Sequence, residues 1–354
     1  MTDPVFDSLF GMMAESGATD LHWFEGGAPT LRVNGRLKCV EIPAALAGIP
    51  FEELTARLVG GKGLEALRRT REYDGAATVP GNRRIRINAY WKLDRLAWAI
   101  RLLPNRFFAF EELGLPIPLL EDICAMRQGL VLVTGATGSG KTTTLASILH
   151  RINQTRSDHL FTIEDPVEYI HESDKCLVSQ REVGRDTESF GNALRSVLRE
   201  DPDIVLLGEM RDRESMDAAL TLAETGHLTF ATLHTSGAAE TVSRIVSAFD
   251  AMEQQQTRER LASNLKVVLT QQLVPWSDGT GRSLCAEIMT LTKAVQSSIR
   301  DKKERQLPSI IELGGEQGMV TMNGSLMSLV RQRRITLSDA MKYSNDPDSL
   351  ERMS

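Results

Sequence analysis

From residue 129 onward, short apolar runs recur between longer stretches of helical periodicity. LVLVTG (130–135), LFTIE (160–164), IVLLGE (204–209) and LTFATL (228–233) are apolar on both alternating faces, while 141–155, 213–224 and 237–248 repeat at helical spacing. Continuous apolar strands alternating with helices predict a doubly wound, largely parallel sheet of the α/β class. The preceding residues read as a small mixed module. A helix is expected over 5–17, then strands at DLHWF (20–24) and TLRVNGRLKCV (30–40), with Asn34-Gly35 as a hairpin turn. Helices at 51–59 and 63–70 precede strands near 72–78, RIRINAY (84–90) and AWAIRLLP (97–104). FEELGLPIP (110–118), with its glycine and two prolines, reads as a linker. The expected division is an N-terminal domain over 1–108, a linker over 109–118 and a second domain over 119–354. The end of that second domain reads as mostly helical, including TRERLASNLKVVLTQQL (257–273) and NGSLMSLVRQRR (323–334).

Charge removes several function classes. The 354 residues carry 41 Lys and Arg against 47 Asp and Glu, a formal net charge of -6. Such a chain offers no general attraction to nucleic acid, and the only short basic run is RQRR (331–334), so no nucleic-acid partner is expected. No uncharged apolar run approaches the roughly 18 residues that span a bilayer. MTDPVFDSLF lacks the basic start and apolar core of a signal peptide, so any membrane contact is expected through partners or a surface patch, and the setting is expected to be cytoplasmic. Cys39, Cys124, Cys176 and Cys285 stand far apart without a CxxC pair, which argues against a zinc ribbon and a disulfide scaffold.

Chemistry enters with GATGSGKT: Gly135, Ala136, Thr137, Gly138, Ser139, Gly140, Lys141 and Thr142, followed by Thr143. A strand before and a helix after are the context in which this spacing cradles phosphates. Its glycines turn backbone N–H groups inward, Lys141 reaches the β- and γ-phosphates, and the Thr142 hydroxyl takes Mg²⁺, so ATP and Mg²⁺ are expected. In DPDIVLLGEMRD the buried strand delivers Glu209 to the phosphate edge. In TIEDPVEY the carboxylates Glu164, Asp165 and Glu168 crowd together, and one of them can polarise the attacking water. Arg195 and Arg199 fall four apart on an expected helix, and Arg86 and Arg101 on neighbouring expected strands. His227 and His234 flank LTFATL without the further ligands of a metal site.

In order, the phosphate loop, TIEDPVEY, VLLGEMRD and TGHLTFATLHT resemble the secretion-ATPase superfamily, and within it the PilT family of type IV pilus retraction motors. The resemblance extends from SGATDLHW and RVNGRL through REVGRDTESFGNALRSVLREDPDI to GEQGMVTMNGSLMSLV. It implies a PAS-like N-terminal domain followed by a RecA-like ATPase domain with a helical C-terminal region, assembled as a homo-hexamer. It also implies that Glu168 is the catalytic glutamate, with Glu164 and Asp165 in support. Glu209 then matches the Walker B acid on the Mg²⁺ side, and Arg86, Arg101, Arg195 and Arg199 match nucleotide-contacting arginines. His227 and His234 match the His box, which reports nucleotide state. The implied partners are an inner-membrane platform protein and a paralogous retraction ATPase, at the cytoplasmic face of the inner membrane. One stretch departs: retraction motors carry AIRNLIRE where this chain reads Ala294-Val295-Gln296-Ser297-Ser298-Ile299-Arg300-Asp301. The polar replacements predict an exposed stretch and leave an accessory retraction motor, or a related secretion or assembly ATPase, as the alternative function.

Overall fold

The computed structural model describes residues 3–33, 36–79, 83–103 and 106–353. The chain forms two compact units; the first runs to Arg106 and takes in Pro166–Ile170, and the second holds Phe107–Asp165 and His171 onward.

In the first unit six antiparallel strands run in the order β3-β2-β1-β6-β5-β4. They are β1 (Ala18–Phe24), β2 (Thr30–Val33), β3 (Arg36–Cys39), β4 (Glu72–Val79), β5 (Arg83–Lys92) and β6 (Arg95–Leu102). The expected turn residues Asn34 and Gly35 lie outside the described residues; the flanking strands pair antiparallel with Val33 opposite Arg36. One face of the sheet is apolar because Ile85, Ile87 and Ala89 alternate with polar neighbours on β5, and Leu96, Trp98 and Ile100 on β6 alternate with the small Ala97 and Ala99. The two expected helices between the sheet halves form one element, Phe51–Thr70, broken at Gly60, whose φ of 75° interrupts the helical path. Trp98 stacks on Phe51 at 4.4 Å and donates its indole N–H to Thr55 Oγ1 at 3.0 Å, fixing that helix to the sheet.

In the second unit seven strands run in the order β13-β12-β7-β11-β10-β8-β9. They are β7 (Gly129–Thr134), β8 (His159–Glu164), β9 (Leu177–Glu182), β10 (Ile204–Leu207), β11 (Leu228–Leu233), β12 (Leu265–Pro275) and β13 (Arg282–Thr290). All pair in parallel except β13 with β12. Leu130 and Leu132 enter one apolar core while Val131 and Val133 enter another on the opposite face, which is why β7 reads as an unbroken apolar run. The fold class is α/β, as expected.

Three expectations need correction. The helix expected over 257–273 ends at Asn264, and Leu265–Pro275 is a strand beside β7. Leu265 and Val268 enter one core and Val267 and Leu269 the other, so the run is apolar on both faces and its periodicity does not separate strand from helix. The expected linker is built into the second unit: Phe110–Leu113 is a helical turn capped by left-handed Gly114, and Phe110, Leu113 and Leu115 are buried. Its prolines start the helix Ile117–Ala125, a position where the missing N–H costs nothing. The stretch 294–301 is not simply exposed, since helix Lys293–Arg300 buries Val295, Ser298 and Ile299. Ser298 is tolerated there because its hydroxyl donates to the Lys303 carbonyl at 2.7 Å. Among the described residues no helix is long and apolar enough to cross a membrane.

Candidate functional site

β7 ends at Thr134, and the chain turns at once through Gly135–Gly140 into helix Lys141–Thr155. Gly135 has φ 133°, and a Cβ there would sit 2.2 Å from the Gln271 carbonyl oxygen, so no other residue fits. Gly138 and Gly140 also take positive φ, at 78° and 95°. No side chain caps the helix, and its positive end faces the loop. Lys141 Nζ arches over the loop, donating to the carbonyls of Gly135 at 2.7 Å and Ala136 at 3.1 Å. The Ser139 hydroxyl is buried without a hydrogen-bond partner. Left-handed glycines, a helix N-terminus and an orphaned buried hydroxyl fit a loop built around phosphate oxygens. Below it lies a polar floor that periodicity did not reveal. Thr134 Oγ1 bonds Thr270 Oγ1 at 2.9 Å, and fully buried Gln271 donates to Thr144 Oγ1 at 2.9 Å. Both Thr270 and Gln271 belong to β12, the strand mistaken for helix.

The carboxyl ends of four adjacent parallel strands collect the other expected groups. Gly135 follows β7, His234 follows β11, Glu209 lies just past β10, and Glu164 ends β8. That edge is where doubly wound sheets bind ligands. His234 Nε2 stands 3.3 Å from Glu209 Oε1, and Arg211 pairs with the other carboxylate oxygen at 2.9 Å. The bond to Glu209 holds the Arg211 proton more tightly than usual. Thr232 Oγ1 donates to the Gly208 carbonyl at 2.5 Å, tying the Glu209 turn to β11. Glu164 is buried and accepts from Thr162 Oγ1 at 2.7 Å. Among the described residues no cluster of three or more His, Cys, Asp or Glu side chains could hold a metal alone.

His227 does not join this edge. It lies at the opposite end of β11, where its backbone carbonyl accepts from Gly129 N–H and its Nδ1 contacts the Leu222 carbonyl at 3.0 Å. That ring finishes the preceding helix, Arg213–Glu224, away from the phosphate-loop edge. The arginine pair from REVGRDTESFGNALRSVLRE also shifts: helix Phe190–Val197 carries Arg195, but Arg199 falls in the turn beyond it, so the two do not share a helical face. Arg195 pairs with Glu214 at 2.9 Å and is exposed, as Arg199 is. In the first unit Arg86 and Arg101 stand directly opposite each other on β5 and β6, on the outer face, with Arg101 also bonded to Asp20 at 2.8 Å. Two arginines side by side suit an anion between them. Glu168 is half-buried on the Pro166–Ile170 segment between buried Val167 and Tyr169, and Asp165 is exposed. Buried Arg84, which the sequence reading passed over, donates to the Val167 carbonyl at 3.2 Å and braces that segment.

Residues 96–342 match the family model described as type II/IV secretion system protein. The chain belongs to that family. Within the family it is 42% identical to the type IV pilus retraction ATPase PilT of Pseudomonas aeruginosa, across 96% of this chain and 98% of that relative. It is 36% identical to the type IV pilus ATPase PilU of the same organism, across 98% of this chain and 91% of that one. Among solved structures it superposes on a crystal structure of the pilus retraction motor PilT with bound ADP. The TM-score is 0.89 at 41% identity, covering 98% of both chains.

Proposed function

We propose that this chain couples ATP hydrolysis to retraction of a type IV pilus, working as a ring of six copies at the cytoplasmic face of the inner membrane. It is an ATPase of the secretion family and of the retraction-motor group within it. The observation that supports the reading best is the convergence of Lys141, Glu164, Glu209 and His234 on one sheet edge, in a chain alike to a retraction ATPase over nearly its whole length.

The residues divide the work by their chemistry. Lys141 and the loop N–H groups bind the β- and γ-phosphates and stabilise charge that builds on the transferred group. Thr142 and Glu209 would hold Mg²⁺, which neutralises the phosphate oxygens when bound; a few protein ligands suffice, because Mg²⁺ keeps waters and substrate oxygens. Glu168 orients or deprotonates the attacking water, with Glu164 and Asp165 in support. Arg86 and Arg101 from the first unit, and Arg195 and Arg199 from the second, supply further positive charge to the nucleotide. His234, beside Glu209, reports nucleotide state through the hydrogen bonds of its imidazole. Work leaves the ring through a platform protein in the membrane. A second reading, an accessory retraction motor acting with a paralogous ATPase, is favoured by Gln296, Ser297 and Ser298 in helix Lys293–Arg300 and by the likeness to PilU.

Phosphate release by the purified protein tests the chemistry. Lys141→Ala is expected to abolish turnover and weaken nucleotide binding. Glu168→Gln is expected to bind ATP normally and to lose about a thousandfold in turnover. Wild-type turnover by Glu168→Gln would move the water-activating role to Glu164 or Glu209.

A further inference from the structure

The segment that carries Glu168 leaves the second unit after Asp165 and the chain rejoins that unit at His171. One side chain spans the two points. Gln180 stands on β9 directly opposite Thr162 of β8. Its Oε1 accepts from the His171 backbone N–H at 2.7 Å, and its Nε2 donates to Glu164 Oε1 at 3.3 Å. The amide cannot be turned round: the His171 N–H only donates, so the oxygen must face it and the NH₂ is left for the carboxylate. The return point is itself anchored. The His171 ring stacks on Phe107 at 4.7 Å, and Phe107 stacks on His150 at 4.1 Å with the rings 9° apart. His150 belongs to the helix that begins with Lys141. Gln180 therefore joins the end of β8 to a residue that reaches the phosphate-loop helix through Phe107.

We propose that Gln180 is a positioning residue for hydrolysis. It closes the base of the loop bearing Glu168 by holding its two ends, at Glu164 and His171, together. This rests on the reading of Glu168 given above. No bond in the transferred phosphate is touched by Gln180; its effect passes through Glu164 and the two loop ends.

The test compares Gln180→Met, Gln180→Glu and Glu168→Gln in the full chain, by steady-state phosphate release across pH and by melting curves. Gln180→Met loses the bonds to His171 and Glu164, and its kcat is expected to fall about a hundredfold while KM for ATP stays within about twofold. Gln180→Glu keeps the acceptor for His171 but sets a second carboxylate against Glu164. Its kcat is expected to recover as pH falls from about 8 to about 6, when the two carboxyls share a proton. Gln180→Met should show no such recovery. Wild-type kcat in Gln180→Met, with Glu168→Gln inactive, would overturn the positioning role alone. A loss in both Gln180 variants that is independent of pH and matched by lower melting temperature would overturn it too, leaving a packing role. Full activity in Glu168→Gln would overturn the reading of Glu168, and the positioning role with it.

Discussion

Glu209 and His234 come from neighbouring strands and meet at 3.3 Å, within hydrogen-bonding reach of each other. His234→Ala should lower kcat about tenfold and leave ATP affinity within about twofold, because the imidazole acts on Glu209 and not on the phosphates. Equal losses in kcat and binding would place His234 on the nucleotide instead. A second residue-scale expectation concerns stability. Burial pushes the His171 imidazole down from 6.5 to about 4, and its Nδ1 has no hydrogen-bond partner. The folded protein therefore refuses a proton that the unfolded chain accepts. Its contribution is complete above the unfolded value and is lost as pH falls towards the folded one. Between about pH 7 and about pH 5 the loss is on the order of 2 kcal/mol. Urea unfolding at the two pH values should show it, and His171→Phe should flatten the difference; an unchanged slope in the variant would assign the pH dependence elsewhere.

At the scale of elements, helix Lys293–Arg300 combines a buried serine with a docked C-terminal end. Arg258 pairs with Glu304 and donates to the Ile299 carbonyl, while Gln255 donates to the Arg300 carbonyl at 3.3 Å. The helix thus rests on Gln254–Asn264, and Ser298→Ala should cost about 1–2 kcal/mol by leaving the Lys303 carbonyl unpaired, with ATP turnover unchanged. A thermal melt and a phosphate assay on the same sample check both halves. This element also shows where sequence reading reaches its limit. Gln296, Ser297 and Ser298 look exposed as a string, but helical spacing turns only Ser297 fully outward and points Ser298 at the core. The phosphate loop was legible because its glycines, lysine and flanking elements are local in sequence. The Glu209–His234 contact was partly legible, since both follow apolar strands of one parallel sheet. β12 was not, because it follows helix Gln254–Asn264 at once, with no glycine or proline between them to mark the change, and the floor of Thr270 and Gln271 was hidden with it. Arg199 was misplaced by a helix that stops two residues short of it.

At the scale of the whole molecule, Arg86 and Arg101 stand side by side on the first unit and the phosphate loop lies on the second. If the arginines serve the nucleotide, Arg86→Ala should reduce turnover by about tenfold or more while the melting curve stays in place. Unchanged activity would leave the pair on an idle surface. The assembly proposal is checked by sedimentation with ATP, where a species of six copies is expected and a persistent monomer would contradict it. Direction of work is the central claim, and counting surface pili together with twitching on cells that lack the gene tests it most directly. The account predicts more surface pili and no twitching, restored by the wild-type gene and not by Lys141→Ala. Cells with no pili at all would contradict it and mark the chain as an assembly motor.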